Sequence, residues 1–114
     1  MKTIIIDGLE WQADDNGIQR TWREAMDYAT SLGNRWRLPM IEELISIIDL
    51  KRYDPACKIE NCRSSYYWSS SPYVYDSSRA WDVDFYYGYV SPSYNGFHYY
   101  ARCVREVIRK NENI

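Results

Sequence analysis

The chain predicts an α+β domain. Two stretches with helical spacing come first, and several with a period of two follow. There is no strand–helix–strand alternation that would build a parallel sheet. A third observation concerns composition. Between Asn61 and Arg105 there is no Lys, Glu, Gln or Met, although the sixty residues before hold thirteen of them. At 114 residues the chain has room for one domain around one core.

The elements follow in order. Lys2–Ile6 and Leu9–Ala13 are short strands joined by Asp7-Gly8, a hairpin dipeptide. Asp14-Asp15-Asn16-Gly17 is a second turn. It lacks the alternating oxygen ligands and distal Glu of a calcium loop, so no metal is assigned there. Thr21 and Glu24 have capping-box spacing and open a helix. Its apolar stripe is Trp22, Ala25, Met26 and Ala29, and Gly33 ends it. Trp36-Arg37-Leu38 is extended, and Pro39 suits a helix start. The second helix carries Ile41, Leu44, Ile45 and Ile48, with Glu42 and Glu43 at its positive end, and stops near Leu50. Lys51–Arg63 is a polar loop. From Tyr66 the period becomes two. Trp81, Val83 and Phe85 face inward, and Asp82, Asp84 and Tyr86 face out. Gly88 marks a turn, Tyr89–Ser91 a partner strand and Pro92–Gly96 a loop. Tyr99–Ile108 is the last strand, with Ala101, Cys103 and Val107 inward. Asn111–Ile114 is a frayed tail.

Composition removes several function classes. A net charge of −2 gives no pull toward nucleic acid. No apolar run approaches the roughly 20 residues of a spanning helix, so membrane insertion is not expected. The apolar start is too short for a signal peptide. Cytoplasm, a virion, or a cell surface reached through a partner all remain open. Cys57 and Cys62 either pair in an oxidising compartment or stay free thiols. Cys103 reads as a small core residue. With one His, the cysteines lack zinc spacing, and no cofactor is implied.

Ten of the twelve Tyr fall in the stretch without Lys and Glu, among Ser, Asn, Gly and Asp. Antibody loops use this palette, because Tyr offers large amphipathic area at low entropy cost. A binding surface is the first functional expectation. A hydrolase would need Asp82, Asp84 and His98 as acid and base. Nothing in the sequence buries one carboxylate and raises its pKa, so an enzyme is not expected. Arg102 and Arg105 read as structural, pairing a carboxylate such as Glu43 or stacking on a Trp.

Three segments carry a family resemblance: Trp36-Arg37-Leu38-Pro39 with Glu43-Leu44, Tyr67-Trp68-Ser69-Ser70-Ser71, and Trp81 through Arg102-Cys103-Val104-Arg105. Together they resemble the DUF1566 family, the domain also found at the C-terminus of the Legionella collagen-like adhesin. The resemblance runs from about Leu9 to Arg105. It implies a single C-type-lectin-like domain spanning 1–114, with two helices packed on a small twisted antiparallel sheet. It implies a framework of Trp36, Leu38, Trp68, Trp81, Val83, Phe85, Gly88, Arg102, Cys103 and Arg105. The calcium-binding loop of C-type lectins is missing, and Trp81-Asp82 matches only part of their strand motif. The formylglycine-generating enzymes share the broad fold but need a Cys pair that these three cysteines do not match.

The depleted stretch also resembles the variable region of diversity-generating retroelement proteins. There, adenines of a template are copied with errors. Changing the first two bases of an AAC or AAT codon yields Tyr, Ser, Asp, His, Arg and others. It never yields Lys, Glu, Gln, Met or Trp. The resemblance implies a variable region at about 73–99. Its positions would be Tyr73, Tyr75, Asp76, Ser78, Arg79, Asp82, Asp84, Tyr86, Tyr87, Tyr89, Ser91, Ser93, Tyr94, Asn95, Phe97, His98 and Tyr99. Such a surface takes a protein or other macromolecule displayed on a cell or virus. The other readings are a carbohydrate-binding adhesin module, with Tyr rings stacking on sugars, and self-association through the Tyr face.

Overall fold

The computed structural model describes residues 1–107. The architecture is α+β, with two short helices and two small antiparallel three-stranded sheets. The first sheet joins β1 (Thr3–Ile6), β2 (Leu9–Gln12) and β6 (Val104–Glu106), with β2 in the middle. The second joins β3 (Tyr66–Pro72), β4 (Arg79–Asp84) and β5 (Tyr89–Tyr94), with β4 in the middle. The helices are α1 (Trp22–Ser31) and α2 (Ile41–Ser46).

Local chemistry explains most of these elements. Asp7 and Gly8 both have positive φ, 50° and 83°, as the tight β1–β2 turn requires. The predicted capping box of α1 is present. The Glu24 amide donates to Thr21 Oγ1 at 3.3 Å, and the Thr21 amide donates to Glu24 Oε1 at 2.9 Å. Glu43 does the same for α2, accepting from the Met40 amide at 2.8 Å. Ala25 and Ala29 of the predicted α1 stripe are buried, and Trp22 and Met26 pack at its margin.

Two apolar clusters hold the fold together. One gathers Trp11, Ile41, Leu44, Ile47, Ile59, Tyr67, Val83, Phe85 and Val104. The other gathers Ala25, Ala29, Trp36, Leu38, Trp68, Ala80, Ala101 and Cys103. Tyr67 and Trp68 are neighbours on β3 and point to opposite faces. Each is buried in a different cluster, so this part of the second sheet is covered on both sides.

Several expectations from sequence need correction. α2 ends at Ser46 rather than near Leu50. Ile47 and Ile48 leave the helix because the next loop pairs with them. The Lys58 amide donates to the Ile47 carbonyl at 2.9 Å, and Ile48 bridges Cys57. That loop is not simply polar. Ala56, Cys57, Ile59 and Cys62 are buried, and the Ala56 amide donates to the Phe85 carbonyl at 2.6 Å. β5 continues through Pro92 to Tyr94 where a loop was expected. It is an edge strand, where Pro is tolerated. The last strand is only Val104–Glu106, because Tyr99 and Tyr100 bridge Arg20 and Tyr67 singly before the chain crosses to the first sheet. Ile108 and the Asn111–Ile114 tail lie outside the described residues.

Gly88 turns β4 into β5 at φ 83°, and a Cβ there would meet Ile48 Cγ2 at 2.8 Å. Cys57, Cys62 and Cys103 are buried free thiols. Cys62 hydrogen-bonds Cys57, which holds the proton on Cys62. Burial pushes the Cys103 thiol up to about 12.

Candidate functional site

The register of the second sheet sorts the tyrosine-rich segment by face. Residues directly opposite each other share a face. Trp68, Asp82 and Ser91 form one row, and Tyr66, Asp84 and Tyr89 the next. The other face carries Tyr67, Val83 and Val90, then Trp81 with Pro92, then Arg79 with Tyr94. The inward alternation of Val83 and Phe85 is as predicted, and both are fully buried. Trp81 only borders the core, half-buried with Tyr73 edge-on at 5.0 Å, because it lies toward the outer end of β4.

The Asp82 face departs most from expectation. Asp82 is 0% exposed, and Ser93 is also buried. The second apolar cluster explains this. Trp68 and Ala80, on the Asp82 face, pack with α1, and the chain returning through Tyr99 lies against them. Tyr99 tilts on Trp68 at 4.7 Å and stacks on Tyr66 at 4.8 Å, while its hydroxyl donates to Ser93 Oγ at 3.0 Å. It therefore spans the Asp82 row. Asp82 Oδ1 accepts from Ser91 Oγ at 2.8 Å, but Oδ2 is buried without a hydrogen bond. Burial pushes the carboxyl up to about 6, against the opposing pull of the Ser93 and Ser91 hydroxyls. The expectation that no carboxylate is buried here is overturned.

Cover ends one row further along the strand. Asp84 is half-buried and accepts from the Tyr86 amide through Oδ1 at 2.9 Å. Tyr66 and Tyr89 beside it are 37% and 63% exposed. Desolvation, then the charges of Asp84 and Asp82, raise the Tyr66 phenol. Desolvation also raises Tyr99. His98 is exposed on a separate loop. Among the described residues no hydrogen bond joins His98 to either aspartate.

The remaining positions wrap around the β4–β5 hairpin. Tyr73 and Tyr75 contact edge-on at 5.5 Å, and Tyr75 is 84% exposed. Arg79 lies 4.1 Å over the Tyr94 ring, donates to its hydroxyl at 2.7 Å and reaches Asp76 Oδ2 at 3.5 Å. Ser78 holds the Asp76 carboxyl low by hydrogen bonding. Tyr94 meets Phe97 edge-on, and Asn95 donates to the Ser77 carbonyl. At the hairpin tip Tyr86, Tyr87 and Tyr89 follow one another at 4.5 and 5.4 Å. Sequence reasoning missed Tyr66, Tyr53, Leu50, Val74 and Val90, all exposed. Tyr66 was discoverable, since it alternates with the buried Tyr67. Tyr53 and Leu50 come from a distant loop that only the fold brings beside Tyr86 and Tyr87.

The framework arginines pair carboxylates or stack on a Trp as expected, and only the carboxylate named as an example, Glu43, goes elsewhere. Glu43 is taken by Arg37, at 2.7 and 2.8 Å, and not by Arg102 or Arg105. The Arg37 hydrogen bond holds Glu43 low. Arg105 stacks on Trp36 at 4.4 Å and donates to Glu10 at 2.7 Å. Arg102, 1% exposed, donates to the Gln12 and Asn61 carbonyls and lies 3.5 Å from Asp15. Asp15, in the Asp14–Gly17 turn, is occupied by Arg63 and the Tyr67 hydroxyl.

A family model described as the Lcl C-terminal domain matches residues 5–105. No curated protein matches the chain.

Proposed function

The chain belongs to the family of Lcl C-terminal domains, and from that premise we propose that it is a non-enzymatic binding protein whose contact surface is the tyrosine-rich segment from Tyr73 to Tyr99. In this reading the fold is C-type-lectin-like, and the segment is the variable region of a diversity-generating retroelement. One observation carries it. Tyr75, Tyr87, Tyr89 and Tyr94 are exposed on a segment free of Lys, Glu, Gln and Met, while Trp68, Val83 and Phe85 beneath them are fully buried. Exposed aromatic rings in such number mark an interaction site, and Tyr and Arg are favoured hot-spot residues. Tyr rings act as rigid anchors, Ser and Asn adapt, and Asp84 and Arg79 match charge. The partner is a protein displayed on a cell or virus.

The test is genomic and biochemical. The reading expects a near-copy of the coding segment for Trp68–Arg105 beside a reverse transcriptase gene, differing at adenines. Absence of such a near-copy, or differences from it at template bases other than adenine, would remove the retroelement. Display libraries randomised at the exposed positions should yield protein binders. Glycan-array hits without protein binders would favour the carbohydrate module instead.

A further inference from the structure

We propose that the open end of the Asp82 face, formed by Asp82, Asp84, Tyr66, Tyr89 and Tyr99, receives the guanidinium of an arginine side chain of a protein target. The inference rests on the reading of this surface as a contact face and names the chemistry that one part of it selects.

Four observations converge on that cradle. Asp82 and Asp84 lie on one face of β4, in adjacent rows of the sheet. Asp82 Oδ2 is buried and makes no hydrogen bond of good geometry, although the Ser93 hydroxyl and amide lie near enough to the carboxyl to lower its pKa. Buried polar atoms are nearly always satisfied, so an orphan acceptor at a surface-facing row marks a place completed by something else. No described basic side chain forms an ion pair with either carboxylate. The arginines nearest in sequence are engaged elsewhere: Arg79 over Tyr94 on the opposite face, and Arg102 and Arg63 with Asp15. Finally, the carboxylates are flanked by phenol rings. Tyr66 and Tyr99 stack in parallel at 4.8 Å, and Tyr89 stands across from Asp84 in register.

Carboxylates beside aromatic rings suit a planar organic cation. The exposed Tyr66 and Tyr89 rings supply negative π-density, Tyr99 being packed against Tyr66 and Trp68, and a half-buried carboxylate supplies a charge-assisted acceptor. Asp84 makes the direct contact, because its Oδ1 is turned to the Tyr86 amide and it is partly open. Asp82 acts from below through its field, or directly once Tyr99 turns aside. An anionic target group would meet two carboxylates with no nearby counter-charge.

The experiment titrates the isotope-labelled full chain with N-acetyl-arginine amide and follows the aromatic resonances. N-acetyl-citrulline amide, of the same shape without charge, is the control. The expected result is saturable shifts at Tyr66, Tyr89 and Tyr99 with the arginine probe, and at least roughly tenfold weaker binding of the citrulline probe. Asp84→Asn should reproduce that loss with the arginine probe, and added salt should weaken binding of the wild-type chain. Equal response to both probes, shifts scattered away from this face, or no saturable response overturns the inference. A protein binder selected on the exposed tyrosines whose affinity is indifferent to Asp84→Asn would also overturn it, yet leave the contact-surface reading standing.

Discussion

The two sheets of this domain treat charge in opposite ways. Around β1-β2-β6 the buried and half-buried charges named here each have a partner of opposite charge, although Arg102 Nε makes no hydrogen bond of its own. Arg37 is clamped between Glu43 and Glu106, Arg105 between Glu10 and Trp36, and Arg102 among backbone carbonyls and Asp15. Around β3-β4-β5 a buried carboxylate has an orphan oxygen, and aromatic rings lie in solvent. The first arrangement fixes one conformation. The second leaves interactions unmade, which is where a partner can add free energy. The difference separates folding from recognition within one small domain.

The comparison breaks most visibly at Arg102. Replacing it with Met removes a buried guanidinium and orphans the Gln12 and Asn61 carbonyls. Truncating one member of a buried polar cluster costs about 3–5 kcal/mol. A urea titration should show a large drop in midpoint with little change in slope. A loss under about 1 kcal/mol would mean that the first sheet does not depend on its paired charges.

Asp82 sharpens the comparison with the opposite sign. Its carboxyl is raised from 3.8 to about 6. Between those values the native state binds more protons than the unfolded chain. Its contribution to stability therefore falls as pH rises through that window, and the penalty is complete at neutral pH. Asp82→Asn should stabilise the free protein at neutral pH, on the order of 1–3 kcal/mol, and the gain should vanish near pH 4. Glu43, Asp15 and Glu10 behave in the opposite way. Their folded pKa values are depressed, so their stabilisation is present above the ordinary carboxylate range and lost as pH falls through the folded values. Wild-type stability should therefore peak in the mildly acidic range. Unfolding curves of both proteins across pH would expose a wrong sign at once.

Much of this architecture was legible in residues. Thr21 with Glu24, and Asp7 with Gly8, dictate local geometry through short-range hydrogen bonds and φ preferences, so they could be read without a fold. The alternation of Val83 and Phe85 with polar neighbours marked the core face of β4. Asp82 could not be read, because its burial depends on Tyr99 arriving from seventeen residues away to lie over Trp68. The same applies to the buried cysteines of the loop after α2, which looked polar until Ala56 docked on Phe85. Composition marks the tyrosine segment as exceptional. Composition carries no facing information, and the fold distributes those rings around a hairpin.

The smallest expected effect tests the comparison most directly. Tyr75, Tyr87 and Tyr89 are mostly in solvent, and their rings touch chiefly one another and other hairpin aromatics. Each single change to Ser should alter stability by no more than about 0.5 kcal/mol, as surface substitutions do. The triple variant should add nearly linearly, apart from coupling between Tyr87 and Tyr89, which stack at 5.4 Å. Thermal unfolding of the singles and the triple gives the answer. A cost of several kcal/mol would make these rings part of the folding core. The separation would then fail, because a surface that must stay tyrosine to fold is not free to vary. Near-neutrality means that side chains here can be exchanged while Trp68, Val83 and Phe85 hold the sheet, the physical condition for a recognition surface that changes on a scaffold that does not.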